Sequence, residues 1–482
     1  MPTQPGETKQ AWVYRQIASA IGTRLLRPGQ PVPSTRTLAS RWGISRGVVE
    51  LAFERLAQEG YLQATVGQGT YVSNTLPETY LQAIAVPATS AAVAAANFAV
   101  TQDPMAPAVR AGQPFVARLP DTTTFDLKLW RASIARAAQV LEPALLHAPD
   151  PRGLPALREE ICRHLALSRG VACTPEQVLV VTGIRHAIDL CAQILGRNDA
   201  NNVGPVAIED PGYRGAAELF ALRGCPTVPV HVDSEGMDVA VLRHSAARIA
   251  YVTPAHQAPT GMALTPRRRI ELLQWANERD ATIIEDDYDS DFSYETAPLP
   301  ALKSQDRTGR VIFCGSFNKS LFPSLRIGYI VASPHHLEAL THLRASTGRA
   351  NAVLDQLALT DFMRTGAFTQ HLKRARLRHQ RRRDLILTEL HAAGLPGDLY
   401  HGLHAGFHFM LHLPEGIAED TVIRLAANQG IVLQGLRAFW RGSQPPPNPA
   451  LIIGYTALTD AQARWHARQL AQVLKQLWEE SR

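Results

Sequence analysis

The sequence of 482 residues holds no run of about 18 apolar residues, so its hydropathy predicts no membrane-spanning helix. Its five cysteines, at 162, 173, 191, 225 and 314, are odd in number, scattered and free of Cys-x-x-Cys pairing. That pattern points to no metal site and predicts reduced thiols in a cytoplasm. The opening Met1–Glu7 lacks a charged-then-apolar secretory pattern, and no internal repeat is found. Lysine is scarce too. Of 49 basic residues only six are lysines, at 9, 128, 303, 319, 373 and 475. Where arginine is favoured so strongly, a lysine in a patterned place suggests a need for an amine that can lose its proton, which arginine cannot do.

Lys319 is in such a place. A serine, Ser316, stands three residues before it and an arginine, Arg326, seven after, within Cys314–Gly328. That spacing is a Schiff-base signal. Upstream, Ile283-Ile284-Glu285-Asp286-Asp287-Tyr288 reads as a buried strand of β-branched residues ending in carboxylates and a phenol, at the strand end where α/β sheets place ligands. A buried carboxylate keeps a pyridinium nitrogen protonated and so keeps such a ring an electron sink. Further upstream, Val178–Val181 runs through Thr182-Gly183 into a helix, whose first N–H groups can hold a phosphate. Singly these read as an exposed lysine, solvated loop acids and an ordinary turn; their order and spacing together favour the chemical reading. With 45% hydrophobic residues the chain has enough apolar mass for two or three domains.

The first 74 residues read differently. Apolar residues recur at helical spacing over Val13–Ile21. Arg27-Pro28-Gly29 then turns the chain, and Ser34 or Thr35 can cap a short second helix. Gly43 breaks it, Ser45 caps a third helix from Arg46 to about Glu59, and strands near Tyr61–Ala64 and Thr70–Ser73 flank Val66-Gly67-Gln68-Gly69. This is the order of a winged helix-turn-helix. Eight Lys/Arg against four Asp/Glu give the segment a net charge of +4, while the whole chain is only +6. Charge concentrated in so small a module supplies the attraction to phosphates that DNA binding needs. The Ala-, Thr- and Pro-rich stretch 75–112 reads as a tether.

Residues 1–74 closely resemble the DNA-binding domain of the GntR family, with its Pro-Gly turn, Pro-Ser-x-Arg and Ser-Arg helix starts and Gly-x-Gly wing. By that resemblance Ser34, Arg36, Thr37, Ser45 and Arg46 meet phosphates or base edges, and Gln68 at the wing tip enters the minor groove. Residues 113–482 resemble the fold-type I pyridoxal-phosphate enzymes, the aspartate aminotransferase superfamily. This implies an α/β fold with a large mixed-sheet lobe and a smaller α+β C-terminal lobe. It further implies that Lys319 forms the internal aldimine, Asp286 pairs with the pyridine nitrogen and Tyr288 with the phenolic oxygen. Ser316 and Arg326, with the backbone around Gly183 and Ile184, would bind phosphate, and Tyr213 would stack on the ring. The fusion resembles the MocR regulators. Pro120-Asp121 with Phe125 and Trp130, Asp150–Arg158, and His256-Gln257-Ala258-Pro259-Thr260-Gly261 fit that subgroup.

The family pattern is not met everywhere. Ala258 replaces the asparagine that contacts the ring oxygen, leaving that contact to Gln257 or to nothing. Ala148 stands where many relatives have a tyrosine that reaches a neighbouring subunit's phosphate. Ile452 stands where the family's arginine clamps a substrate carboxylate, and isoleucine offers no donor. The segment His371–Arg383 carries seven cations and no acid, either the solvated face of a helix or an added phosphate-contacting surface. The expectation is a cytoplasmic, homodimeric, pyridoxal-phosphate-binding transcription regulator without a metal. Its partners would be double-stranded operator DNA and an effector, either pyridoxal phosphate itself or an amine or amino acid. A working aminotransferase with an accessory winged helix is the alternative. A DNA-binding protein whose second domain only dimerises fits less well, because the Asp286, Tyr288, Ser316, Lys319 and Arg326 set is intact.

Overall fold

The computed structural model describes residues 7–65, 69–76, 114–117, 119–146, 150–196, 204–294, 299–348, 350–442 and 446–481. Gln68, Ala148 and nearly all of the stretch 75–112 lie outside them. The chain divides into two compact units, Met1–Thr101 and Gln102–Arg482.

In the first unit, helices Lys9–Gly22, Thr35–Trp42 and Arg46–Gln58 precede an antiparallel pair, β1 (Leu62–Thr65) and β2 (Gly69–Val72). Thr8 caps the first helix through its side chain, and Ser34 caps the second by accepting from the Thr37 amide at 3.2 Å. Gly43, at φ +63°, ends that second helix in the left-handed region, where a side chain would be strained. Val13, Ile17, Ile21, Leu38, Val49, Phe53, Leu56 and Val72 form one core. Trp12 meets Trp42 edge-to-face at 5.3 Å, fastening the first helix to the second.

The second unit has two lobes. Its larger sheet contains β3 (Val178–Val181), β4 (Val206–Asp210), β5 (Thr227–Asp233), β6 (Gly236–Met237), β7 (Ile249–Val252), β8 (Thr282–Asp287), β9 (Val311–Ser316) and β10 (Gly328–Val331). The order across the sheet is β3-β10-β9-β8-β7-β4-β5-β6. The pairs from β9 to β5 are parallel, while β10 runs antiparallel to both β3 and β9. The inner strands are almost continuously buried because helices cover both faces, whereas β5, next to the edge, alternates with exposed residues. Alternate residues face opposite cores: Leu179, Val181, Tyr251, Ile284, Ile312 and Cys314 pack with the helix Ile184–Leu195, whereas Val180 and Phe313 join Phe125, Trp130 and Phe317.

The smaller lobe is an antiparallel sheet of order β11-β12-β14-β13, built from Tyr400–His401, His408–His412, Ala450–Gly454 and Gln434–Gly435. The helices Ala367–Ala392 and Asp460–Ser481 cover it through Ile386, Leu390, Leu470 and Leu474. Among the described residues no helix is long and apolar enough to cross a membrane, and no group of metal-ligating side chains is found.

Candidate functional site

The period of β8 sorts its acids. Asp286 shares the parity of Ile284 and so faces the helix Ile184–Leu195. Glu285 and Asp287 face the other way: Asp287 pairs with Arg169 at 2.9 Å, and Glu285 accepts from the amides of Leu302 and Lys303 at 2.8 Å each. Only Asp286 is left for chemistry. It is 5% exposed, and its Oδ2 accepts from the Tyr251 hydroxyl. Its Oδ1 is sealed from solvent and meets no hydrogen-bond donor among the described residues. Burial pushes the Asp286 carboxyl up to about 6, against the pull of the Tyr251 bond and the nearby Lys319 charge. A buried acceptor without a donor costs about 1–3 kcal/mol, which marks this oxygen as shaped for a donor that a ligand brings.

The Lys319 ammonium lies 4.1 Å from the centroid of the Tyr288 ring. The Tyr288 hydroxyl is 3.0 Å from His256 Nδ1, which also faces Asp289 Oδ2 at 3.0 Å. The sheet thus brings Asp286, Tyr288 and Lys319 together from two neighbouring strand ends. Tyr213, at the start of the helix Arg214–Leu222, is near enough to Tyr251 to help raise its hydroxyl well above the usual phenol range, behind burial and Asp286.

Three segments meet beside Lys319. Gly183, at φ +135°, starts the helix Ile184–Leu195 without a side-chain cap. A Cβ on it would lie 2.6 Å from the Asn318 amide nitrogen and 3.8 Å from Ser316 Oγ. Asn318 is the staple of this corner, donating to Thr182 O at 3.2 Å and accepting from the Ile327 amide at 3.0 Å. Asn351 adds a second staple, from its side-chain nitrogen to Val181 O at 3.2 Å and Arg326 O at 2.8 Å. Arg326 takes a left-handed backbone, φ +55°, and its side chain is exposed. Ser316 is the N-cap of the short helix Phe317–Ser320 and accepts from the Asn318 amide at 3.2 Å.

Gln257, one candidate to take over the missing asparagine's contact, is held by neighbouring groups. Its side-chain nitrogen donates to Glu209 Oε2, Pro211 O and Ala258 O at 2.9–3.2 Å, and its oxygen accepts from Thr260 twice. With both ends of the amide committed, it braces the loop between β7 and β8. Glu209, held by Thr253 and Gln257, is pushed up to about 7 by burial. Ile452 is fully buried among Met410, Leu436, Phe439 and Ala450, an apolar wall.

In the first unit Ser34, Arg36, Thr37, Ser45 and Arg46 are all exposed, at the starts of the second and third helices. Ser34 and Thr37 hydroxyls are 2.8 Å apart, so they serve the cap as well as the surface. Ser45 is an N-cap without a side-chain capping bond. Among the described residues Arg46 pairs with Glu50, one turn on at 2.7 Å, and its side chain is 63% exposed. Such a pair is worth about 0.3–0.5 kcal/mol, so Arg46 is readily handed over to a phosphate or a base.

Sequence reasoning missed Tyr251, Glu209, His256, Asn318 and Asn351 as functional supports. Asn318 and His256 sit inside motifs that were legible, next to Lys319 and Gln257. Tyr251 and Asn351 carry no local signal, since only the sheet order and the return of the chain bring them in.

The fold and its fused parts define a helix-turn-helix transcription regulator whose second domain has the aminotransferase fold. Residues 9–72 match the bacterial regulatory proteins of the gntR family, and residues 121–447 match aminotransferase class I and II. The chain belongs to the MocR-type family of transcription regulators that joins these two domains. It is 30% identical to a probable rhizopine catabolism regulatory protein, MocR, of Rhizobium meliloti, over 92% of this chain and 90% of that one. It is 31% identical to the HTH-type pyridoxine biosynthesis transcriptional regulator PdxR of Corynebacterium glutamicum, over 93% and 92%. Among solved structures it resembles LysN, the α-aminoadipate aminotransferase of Thermus thermophilus complexed with N-(5'-phosphopyridoxyl)-L-leucine. The TM-score is 0.67 at 26% identity, over 77% of this chain and 94% of that one.

Proposed function

We propose that this regulator binds pyridoxal 5'-phosphate in the Asp286–Lys319 cradle and uses its occupancy to change operator binding, as a cytoplasmic homodimer. In this reading residues 1–74 meet double-stranded DNA, 75–112 tether, and 113–482 sense. The observation that carries it is Asp286 Oδ1: a buried carboxylate oxygen without a donor among the described residues, on the one β8 acid not spent on structure, within reach of the Lys319 charge.

When bound, pyridoxal phosphate supplies an aldehyde that bonds an amine and a ring that withdraws electrons from it. Asp286 would accept the ring N–H, while Tyr251 holds its other oxygen and keeps the carboxylate oriented. A ring cation there would favour ionised Asp286 and offset the burial that raises it. Tyr288, fixed by His256, would donate to the ring's phenolic oxygen, and Tyr213 would cover the ring. Ser316, Arg326 and the first amides after Gly183 would hold the phosphate, with Asn318 and Asn351 keeping those segments in register. The exposed Arg326 leaves this corner accessible to a second copy.

The apolar wall at Ile452 favours pyridoxal phosphate itself as the effector over an amino acid. A carboxylate facing it would lose a charge-assisted bond worth about 1.5–3 kcal/mol. Borohydride treatment of cofactor-loaded protein should leave a reduced adduct on Lys319 that Lys319→Ala abolishes, and loaded and cofactor-free protein should differ in operator affinity with no amino acid present. A colourless, unreactive wild type overturns the cradle. Equal DNA affinity of both forms, with an amine shifting it, overturns the choice of effector.

A further inference from the structure

Two pairs of thiols lie in the large lobe, and they differ in access. Cys162, on the helix Pro155–Arg169, and Cys173, in the segment leading to β3, have sulfurs 3.4 Å apart, and both are partly exposed. Cys191 and Cys314 are also paired with one another, but both are fully buried between the helix Ile184–Leu195 and β9. We propose that Cys162 and Cys173 are an oxidisable dithiol that closes to a disulfide in the folded protein, with a hydroperoxide as the oxidant.

Little movement is needed. A disulfide holds its sulfurs at about 2.05 Å, and the two chain segments are already fastened to each other one turn away. Arg158 donates to Pro175 O at 2.7 Å and to Gly153 O at 3.1 Å. The shared hydrogen bond lets one thiol of the pair ionise while the other keeps its proton, and the charge of Lys303 beside Cys173 favours that sulfur as the thiolate. The more acidic thiol is the better supplied with thiolate. The Cys173 thiolate attacks the peroxide: a sulfur–oxygen bond forms, the oxygen–oxygen bond breaks, and hydroxide leaves to become water. The Cys162 sulfur, giving up its proton, then attacks the Cys173 sulfenic sulfur; the sulfur–sulfur bond forms and a second water leaves. Two thiols and one hydroperoxide thus give one disulfide and two waters, or one water and one alcohol from an alkyl hydroperoxide. A reducing thiol reverses it.

The test uses full-length protein, reduced, freed of reductant and exposed to a small molar excess of hydrogen peroxide. It is then alkylated under denaturing conditions and peptide-mapped. The expected product is one cross-linked peptide pair containing Cys162 and Cys173, lighter by two hydrogens, restored by dithiothreitol and formed at least about tenfold faster than any change at Cys191, Cys225 or Cys314. In Cys162→Ala the oxidation should stop at a Cys173 sulfenic acid that dimedone traps; the wild-type map decides the matter should that variant not fold. Oxidation of Cys191 and Cys314 at a similar rate, or conversion of Cys173 to sulfinic acid while Cys162 stays a free thiol, overturns the proposal. So does no reaction at all.

Discussion

The two units of this chain handle charge in opposite ways. In the winged helix the candidate contacts stand in the open: Arg36 and Arg46 are exposed, and the latter pairs with a neighbour on its own helix. In the large unit the acids and several of the arginines are sealed. Asp286, Glu209 and Glu285 are all raised by burial, and the long helix that looks most basic in sequence buries Arg382 and Arg383. An exposed cation can be removed at little cost to the fold and serves whatever partner arrives. A buried one is already committed, so function and stability cannot be separated there by a single substitution.

The sharpest break in that contrast is at Arg382. Its guanidinium, 5% exposed, donates to Asp121 at 2.9 Å and to Thr456 O. Arg382→Ala leaves Asp121 buried without its main cation, and stability in urea should fall by about 3–5 kcal/mol. A change below about 1 kcal/mol would mean that this network is wet.

Next in size is a pH effect at Glu285. Its carboxyl is raised from 4.5 to about 7, by burial first and then by Asp287. A carboxyl raised in the folded state contributes stability that is complete below the unfolded pKa and is lost as pH rises through the folded one. Relative to Glu285→Gln, the wild type should therefore lose about 2–3 kcal/mol between pH 5 and pH 8. Parallel pH curves for the two proteins would show that Glu285 stays ionised throughout.

For the winged helix the effects should be smaller and confined to DNA. Arg46→Ala should cost about 1–3 kcal/mol of operator binding and relax preference at one base pair if it reads a guanine edge. Arg36→Ala should weaken operator and random DNA alike. Equal losses on both DNAs for both variants would refute this division, while thermal stability should hardly move in either, because neither side chain is buried.

What was legible in the sequence follows the same divide. The winged helix is written locally: caps, a glycine stop and helical spacing lie within a few residues of the groups they position, so Ser34 and Gly43 could be placed by eye. The stretch Ile283–Tyr288 and the Ser316-to-Arg326 spacing were legible because one strand end or one turn contains each. The use of Gln257 was not, since its partners Glu209 and Pro211 arrive from another strand. Tyr251 reads as an ordinary core residue until the parallel register of β7 on β8 sets it beside Asp286. The basic run is hard to read for the same reason: apart from Asp384 next to Arg383, its acids lie far off in sequence, at Asp121, Asp126 and Asp460.

The smallest effect is expected from that run. Its exposed cations are Lys373, Arg374 and Arg381, the last two pairing loosely with Asp126 at 3.9 Å and with Asp460 at 2.8 Å. Arg376 reaches the Asp291 carbonyl and Arg383 the Leu403 carbonyl, so part of the helix's remaining charge ties it to other segments of its own domain. If operator DNA lay over this face, three phosphate contacts would be lost in a Lys373→Ala, Arg374→Ala, Arg381→Ala triple variant. The slope of log affinity against log salt would then shallow by about 2.7. The expected change is none, with binding and slope both matching wild type, because Arg374, Arg381 and Arg382 of this run already face acids from elsewhere in their own domain. A shallower slope in the triple variant, with the fold intact, would make this helix a second DNA surface and erase the contrast between the two units.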